Sequence, residues 1–184
     1  NMGDMTIIGN TTPRYQYTIN GSISWKDLSL SVMFQGVGKR DWDPGTAPYF
    51  WGSGAYAQVT VFNEHMDYWR EDNKDAYYPK PYIHSAGGVG PFRNKIMQTS
   101  DRYLQSGAYC RLKNITLSYN LPSAWVKKAG MQKVQVFFSG ENLLTFTSLK
   151  GMFDPEAIFT SNSYTGEGGK NYPMNKVVSF GLVV

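Results

Sequence analysis

The sequence predicts an all-β fold built from about five antiparallel strands. The first observation is a pair of runs, residues 14–25 and 28–36, in which polar and apolar residues alternate on either side of a Lys26-Asp27 turn. Side chains in a strand point to opposite faces with period two, so the pair predicts a hairpin with one apolar and one polar face. The composition agrees, because 184 residues that are 15% aromatic, 17% charged and include 19 glycines favour strands and structured loops.

Three later segments repeat the two-sided pattern. They lie near residues 109–121, 133–141 and 176–184. In the first of them, Ile115 and Leu117 alternate with Asn114 and Thr116, which predicts a strand with the same two faces. The last is the least regular, because apolar residues occupy both parities there. Together with the hairpin, these runs predict an up-and-down sheet.

The connections between the predicted strands alternate between short and long. Residues 26–27 and 122–132 form the short connections, and residues 37–108 and 142–175 form the long ones. In an up-and-down sheet, alternate connections lie at the same end, so both long loops are expected at one end. Outer-membrane barrels have this asymmetry, with short periplasmic turns and long extracellular loops.

The long connections are rich in aromatic residues, which predicts ordered, packed loops rather than flexible linkers. The apolar residues between Val59 and Trp69 have helical spacing, which predicts a short amphipathic helix near residues 60–69. Within the second short connection, residues 123–128 are expected to form a helical turn that ends at Gly130.

Two architectures fit these patterns. One is an arc of a transmembrane barrel, and the other is a soluble β-sandwich that binds carbohydrate through its loops. A small closed barrel needs about eight strands, so five strands form an incomplete barrel whose remaining strands come from elsewhere. In a sandwich, the apolar faces meet across a dry core about 10 Å thick. Long loops at one end favour the barrel.

Charge and residue chemistry argue against several other classes of function. The net charge of +4 comes from scattered lysines and arginines, so no nucleic-acid footprint is expected. His65 and His84 lie far apart without a cysteine partner, so no metal site is predicted. Asp154 and Glu156 could suggest a glycosidase pair, but an exposed loop is the simpler account. No enzyme activity, catalytic residue or cofactor is therefore expected.

Several segments resemble the late barrel strands of SusC/RagA-type TonB-dependent outer-membrane transporters. The resemblance covers nearly the whole chain in family order and corresponds to the C-terminal part of the barrel. The segments that carry it are residues 8–15, 34–41, 102–119, 139–147, 153–156 and 172–182. Family members usually end in an aromatic residue, whereas this chain ends in Leu182-Val183-Val184.

The resemblance implies an outer-membrane protein that imports large nutrients such as oligosaccharides or peptides. It implies a SusD-like surface lipoprotein as the partner that closes over the mouth of the barrel as a lid. Further partners implied are outer-membrane lipid, the remaining barrel strands, and TonB acting through a plug and N-terminal region with no counterpart in this chain.

Candidate substrate contacts come from the first long loop, where aromatic rings could stack on sugars while polar groups bond their hydroxyls. The candidate set is Trp42, Trp51, Tyr68, Trp69, Asp41, Asp43 and Arg93. The alternative for each aromatic residue is that it packs the loop onto itself or against the lipoprotein.

If the opening hairpin spans a membrane, its two faces are assigned by parity, with the Lys26-Asp27 turn toward the periplasm. The residues expected to face lipid are Tyr15, Tyr17, Ile19, Ile23, Leu28, Leu30, Val32 and Phe34. The residues expected to face the lumen are Gln16, Thr18, Asn20, Ser22, Ser29, Ser31 and Gln35.

Overall fold

The structure is a computed structural model that describes residues 5–45, 48–52, 61–80, 98–158 and 171–184, with the backbone alone at 48 and 49. Its strands are β1 Arg14–Trp25, β2 Leu28–Lys39, β3 Asp41–Trp42, β4 Gln105–Ser106, β5 Tyr109–Asn120, β6 Gln135–Thr147 and β7 Val177–Val183. Its helices are α1 Pro48–Trp51, a 3-10 helix Asn63–Met66 and α2 Ser123–Lys128.

The chain divides into two compact units. The strand unit comprises residues 13–39, 108–148 and 174–184, and the loop unit comprises the described parts of residues 1–12, 40–107 and 149–173.

The strand unit is one five-stranded sheet in the order β1-β2-β5-β6-β7. Every neighbouring pair is antiparallel, and each strand pairs with the next long strand along the chain. This confirms the predicted all-β, up-and-down fold class. The five strands form an open sheet rather than a closed barrel within the described residues.

Two strands are longer than their sequence pattern predicted. β2 continues to Lys39 instead of ending at residue 36, and β6 continues to Thr147 instead of ending at residue 141. In β2, Gly36 pairs with Tyr17, and the ladder with β1 continues to Lys39 opposite Arg14. In β6, Asn142 has a positive φ of 53° and interrupts the alternation without ending the strand.

The register sorts the side chains of all five strands onto two faces. Partners directly opposite each other share a face, and the pairs Ile19↔Phe34 and Leu117↔Phe138 are apolar. One apolar row crosses the sheet through Trp25, Leu28, Tyr119, Val136 and Leu182. A second row, near the other end, contains Tyr17, Gly36, Cys110 and Phe146. The apolar face is therefore continuous across the strand unit.

A β-bulge keeps this face continuous in β5. The pairing with β2 shifts between Met33 and Phe34, where Lys113 has no direct partner. The same residue faces an irregularity of β6 around Asn142. Because the bulge inserts one residue, Leu112 joins the apolar face, although simple alternation from Ile115 would place it on the polar one.

The loop unit has little regular structure. β3 and β4 form a two-residue antiparallel ladder, Asp41↔Ser106 and Trp42↔Gln105. The amphipathic helix predicted near residues 60–69 is wrong for its described part, which forms a one-turn 3-10 helix followed by extended chain. Met66 is exposed, so apolar spacing here does not correspond to a buried helical face.

Buried His65 holds the 3-10 helix in place. Its Nδ1 accepts a hydrogen bond from the Phe62 amide at 2.9 Å, and its Nε2 lies 3.0 Å from the Phe50 carbonyl oxygen. An accepting Nδ1 implies that the proton resides on Nε2, which then donates to that carbonyl. The imidazole therefore has a structural role between two loop segments.

The predicted helical turn of the second short connection is present as α2. Gly130 follows it with a positive φ of 74°, a conformation that favours glycine after a helix. Val126 is its buried residue. Within the described residues, no helix has both the length and the apolar character to cross a membrane.

Candidate functional site

Much of the apolar face of the strand unit is exposed, although Leu112 on the same face is buried. Ile19, Ile23 and Phe180 are 60%, 66% and 78% exposed, and Leu144, Phe146 and Leu182 are exposed as well. A soluble sheet normally buries such a face, because burial of apolar area provides most of the folding free energy. From Tyr17 to Trp25 the two apolar rows enclose nine residues of β1. That span matches the roughly nine to eleven residues that a tilted strand uses to cross a bilayer.

The opposite face of the sheet is polar. It contains a depression of about 480 Å³ on β1, β2 and β5. The residues that line the depression are Asn20, Gly21, Ser22, Ser31, Val32, Met33 and Asn114. Further along the same face lies Arg111, a buried residue whose Nε donates to Thr145 Oγ1 at 2.8 Å. This face has the hydroxyl and amide groups expected of a solvated lumen.

The loop unit is organised around a buried aromatic core. Its buried members are Trp42, Phe50, Trp51, Tyr78, Tyr103, Leu149, Phe153 and Ile158. Ring centroids of Trp42 and Phe153 lie 4.8 Å apart, and those of Trp51 and Tyr103 lie 4.7 Å apart. Tilted and edge-on contacts of this kind are favourable for aromatic pairs. The core joins residues of both long connections into one packed structure.

Two of the predicted substrate contacts belong to this core. Trp42 is fully buried and Trp51 is 5% exposed, so neither ring has a free face for a ligand. The indole N–H of Trp51 donates to the Gly45 carbonyl at 2.8 Å. Their placement matches the alternative in which loop aromatics pack the loop onto itself, and we assign no substrate contact to them.

Tyr68 and Trp69 occupy the surface of the loop unit. Tyr68 is half-buried against the aromatic core, whereas Trp69 is 40% exposed. The backbone is extended here, with the Trp69 amide donating to the Tyr78 carbonyl at 2.9 Å. Consecutive residues of extended chain point to opposite sides, so the two rings do not form one platform.

The predicted polar partners are engaged in local hydrogen bonds. Asp41 accepts from the Asn10 amide at 2.8 Å. Asp43 accepts from the Gly45 amide at 3.1 Å and from the Thr99 hydroxyl. These contacts fix loop geometry. Arg93 lies outside the described residues, so its predicted role is untested.

The structure brings together two surface residues that sequence reasoning missed. Lys150 Nζ lies 4.1 Å from the ring centroid of Tyr77, a cation–π contact. Gln105 connects them, since its Nε2 donates to the Tyr77 hydroxyl and its Oε1 accepts from the Lys150 amide. Burial, followed by the neighbouring Tyr103, raises the pKa of Tyr77. No motif joins residues so far apart in sequence.

A second cation lies over an aromatic ring nearby in the chain. The Arg70 guanidinium is 5.2 Å from the ring centroid of Tyr68. We use the name aromatic–cationic rim for Tyr68, Trp69, Arg70, Tyr77 and Lys150. In this group, the exposed ring of Trp69 suits a sugar, and the cations suit carboxylates.

The acidic segment at residues 71–75 forms a turn. Asn73 exchanges backbone hydrogen bonds with Arg70, and its side-chain amide donates to Asp67 Oδ1 at 3.1 Å. This bond, together with the Tyr77 amide, lowers the pKa of Asp67. Among the described residues, no three His, Cys, Asp or Glu side chains are grouped to hold a metal ion.

Comparison with known proteins connects this architecture to one family. TonB-dependent receptor P3 of Formosa agariphila is 32% identical to the chain over 186 residues, covering 97% of this chain and 17% of the relative. The chain belongs to the TonB-dependent receptor family. A second member, TonB-dependent receptor P26 of the same organism, is 25% identical over 187 residues, covering 98% of the chain and 18% of the relative. No protein-family model matches the chain.

Solved structures agree with this family. The RagAB peptide importer in its open-open state matches with a TM-score of 0.60 and 25% identity, over 96% of this chain and 17% of that one. Its closed-closed state matches with a TM-score of 0.61 and 26% identity. The TonB-dependent receptor segment described here therefore spans less than a fifth of the length of the relatives it matches.

Membership of the family decides between the two architectures. The chain is a barrel segment of a TonB-dependent receptor, and its location is the outer membrane. The soluble sandwich was the wrong alternative, because the apolar face is exposed instead of packed in a dry core. The matched relatives are receptors and importers rather than enzymes.

Proposed function

We propose that the chain is the late barrel segment of an outer-membrane importer for oligosaccharides or peptides. The continuous apolar face across five strands carries the proposal, because an importer of this family needs a lipid-facing wall and a polar lumen. Energy would come from TonB acting on parts of the protein outside this chain. A SusD-like surface lipoprotein would close over the mouth.

In this proposal the two faces have separate roles. The apolar rows contact lipid, and the polar face with its depression at Asn20 and Asn114 borders the lumen. The short connections lie toward the periplasm and the long ones toward the exterior. The loop unit is then available at the outer surface for substrate and lipoprotein.

The aromatic–cationic rim is our candidate for substrate contact in the loop unit. Trp69 has an exposed ring face that can stack on the apolar side of a pyranose. The cations at Arg70 and Lys150 can pair with the carboxylates of a peptide or an acidic sugar. RagAB is described as a peptide importer, which supports peptides as one of the two substrate classes.

Uptake by whole cells tests the proposal. A strain lacking the full-length receptor should lose uptake of at least one labelled class, oligosaccharides or peptides, and the wild-type gene should restore it. A Tyr68→Ala/Trp69→Ala variant should restore less at limiting substrate. Met66→Ala removes an exposed apolar side chain from the same loop and serves as the matched control. Unchanged uptake of both classes in the deletion strain would contradict import.

The lipoprotein partner requires its own experiment. The tagged full-length receptor, solubilised in mild detergent, should retain a SusD-like lipoprotein through affinity purification. A receptor in which each of the two long connections is replaced by a short linker should lose the lipoprotein while keeping its barrel. Retention by the loop-deleted receptor would place the lipoprotein contact elsewhere.

A further inference from the structure

Both short connections of the strand unit meet at one end of the sheet. The Asn120 amide donates to the Asp27 carbonyl at 2.9 Å, and Leu28 pairs with Tyr119. Residues 25–28 and 121–134 therefore form one continuous edge. It lies directly beyond the apolar row that begins at Trp25.

This edge has an excess of positive charge. Its four lysines are Lys26, Lys127, Lys128 and Lys133, and all are exposed. Asp27 is the single carboxylate in the two segments. The excess contrasts with the scattered charge of the chain as a whole, in which 18 basic residues face 14 acidic ones.

Aromatic residues accompany these lysines at the boundary of the apolar face. Trp25 is 67% exposed, and Lys26 Nζ lies 4.6 Å from its ring centroid. Because Trp25 belongs to the apolar row, Lys26 extends over the apolar side of the sheet. Tryptophan and lysine at the end of an apolar surface are typical of a membrane–water interface.

Helix α2 presents a second combination of this kind. Val126 is buried and anchors the helix, while Trp125 is 67% exposed. Lys128 follows Trp125 by three residues, so the two side chains share one side of the helix. An exposed indole ring beside an ammonium group suits the boundary of a membrane. There the ring can contact the apolar layer, and the ammonium group can contact anionic headgroups.

We propose that this edge, the lysine–tryptophan collar (Trp25, Lys26, Trp125, Lys127 and Lys128), binds the anionic headgroups of phospholipids at the adjacent membrane surface. The inference rests on the membrane placement in the proposed function. Its independent support is the position of Lys26 over the apolar face, where a headgroup at the boundary of the bilayer is the neighbouring anion. An acidic soluble partner would instead require Lys26 to point away from that face.

The test uses the full-length receptor in detergent, titrated with phosphatidylglycerol or phosphatidylcholine and followed by native mass spectrometry. The wild type should retain phosphatidylglycerol preferentially, and added salt should weaken the preference. Lys127→Gln/Lys128→Gln should reduce it by about fivefold for each lysine lost. Lys127→Arg/Lys128→Arg should keep it, since the charge remains.

Lys74→Gln/Lys80→Gln provides the matched control, because it removes two exposed charges from the loop unit. It should behave as the wild type. Equal retention of the two lipids by the wild type, or an unchanged preference in the Lys127→Gln/Lys128→Gln variant, would overturn the proposal. A receptor that does not insert into bilayers at all would refute the membrane placement itself, and with it both proposals.

Discussion

The phenol ring of Tyr17 covers Gly36 on the neighbouring strand. The two residues are direct cross-strand partners, and a Cβ at Gly36 would lie 2.5 Å from both Cζ and Oη of Tyr17. It would also meet the carbonyl oxygen of Tyr109, which accepts a 3.4 Å hydrogen bond from the Tyr17 hydroxyl. Glycine is required here because one ring and two strands converge on the same space.

Replacing Gly36 should therefore destabilise the sheet. Gly36→Ala should lower the unfolding free energy by about 1–3 kcal/mol, since the ring must leave its place or the strands must separate. Gly21→Ala is the matched control, because its Cβ would meet Val32 Cγ2 at an ordinary 3.6 Å. Heat-dependent gel migration of the full-length receptor measures both. Equal melting of the two variants would show that the Tyr17 contact is not restrictive.

The two faces of β1 predict opposite responses to a charge. Ile19→Asp places a carboxylate on the apolar face and should reduce the amount of receptor in the outer-membrane fraction, at a cost of up to about 2 kcal/mol. Asn20→Asp places the same group on the polar face, where it should be tolerated. Immunoblots of membrane fractions provide the measurement, and similar levels of both variants would reverse the assignment of faces.

Acid should loosen the turn that Asp67 organises. Hydrogen bonds from Asn73 and the Tyr77 amide hold the pKa of Asp67 below its ordinary value. The carboxylate therefore stabilises the fold above its unfolded pKa of about 3.9, and this contribution is lost as the pH falls through the lower folded value. Hydrogen exchange across residues 67–78, corrected for intrinsic rates, should show reduced protection at pH 2.5 compared with pH 6.

Asp67→Asn should remove most of this pH dependence, because the amide does not titrate. Asp72→Asn is the comparison, since Asp72 forms an exposed 3.4 Å ion pair with Arg70 that contributes little to stability. If the wild type were equally protected at both pH values, Asp67 would not be the organising group.

Removal of the buried hydroxyl group of Tyr78 should stabilise the loop unit. The Tyr78 ring lies in the aromatic core, 5.0 Å from His65 and 5.6 Å from Phe50 between centroids, but its hydroxyl is buried without a hydrogen-bond partner among the described residues. Burial, followed by the neighbouring Tyr77, raises the pKa of this phenol. Tyr78→Phe should stabilise the loop unit by about 1 kcal/mol, because it removes an unsatisfied polar group.

The resistance of the loop unit to limited proteolysis measures the stabilisation expected of Tyr78→Phe. Tyr78→Ala serves as the opposite control and should cost about 3–5 kcal/mol, since it opens a cavity. A Tyr78→Phe receptor that is cleaved faster than the wild type would indicate that the hydroxyl has a partner after all.

The sheet was predictable because alternation reports directly on a two-sided environment. The hairpin around Lys26-Asp27 needed no other signal. The strand ends were harder: β2 was predicted to end at Gly36 but continues to Lys39. The need for glycine at position 36 follows from the ring of Tyr17, which lies nineteen positions away along the chain. Lys113 was equally hidden, because a bulge alters parity without any distinctive residue type.

The site was less predictable for a related reason. Residue type marked Trp42 and Trp51 as possible stacking rings, but burial depends on Phe50, Tyr103 and Phe153, which come from separate segments. The contact between Tyr77 and Lys150 likewise exists only after two long connections fold together. Exposure and convergence are properties of the tertiary structure, and spacing along one segment does not encode them.

The joint packing of the two long connections bears on how the sheet can assemble. Pairing of β2 with β5 must close a loop that contains residues 40–107, and such closure costs entropy that grows slowly with length. The Gly107 amide donates to the Arg40 carbonyl at 2.8 Å, and the β3–β4 ladder lies immediately inside it. If the loop unit folds first, it holds residues 40 and 107, the two ends of this connection, close together. The pairing of β2 with β5 would then proceed as fast as the closure of a short hairpin.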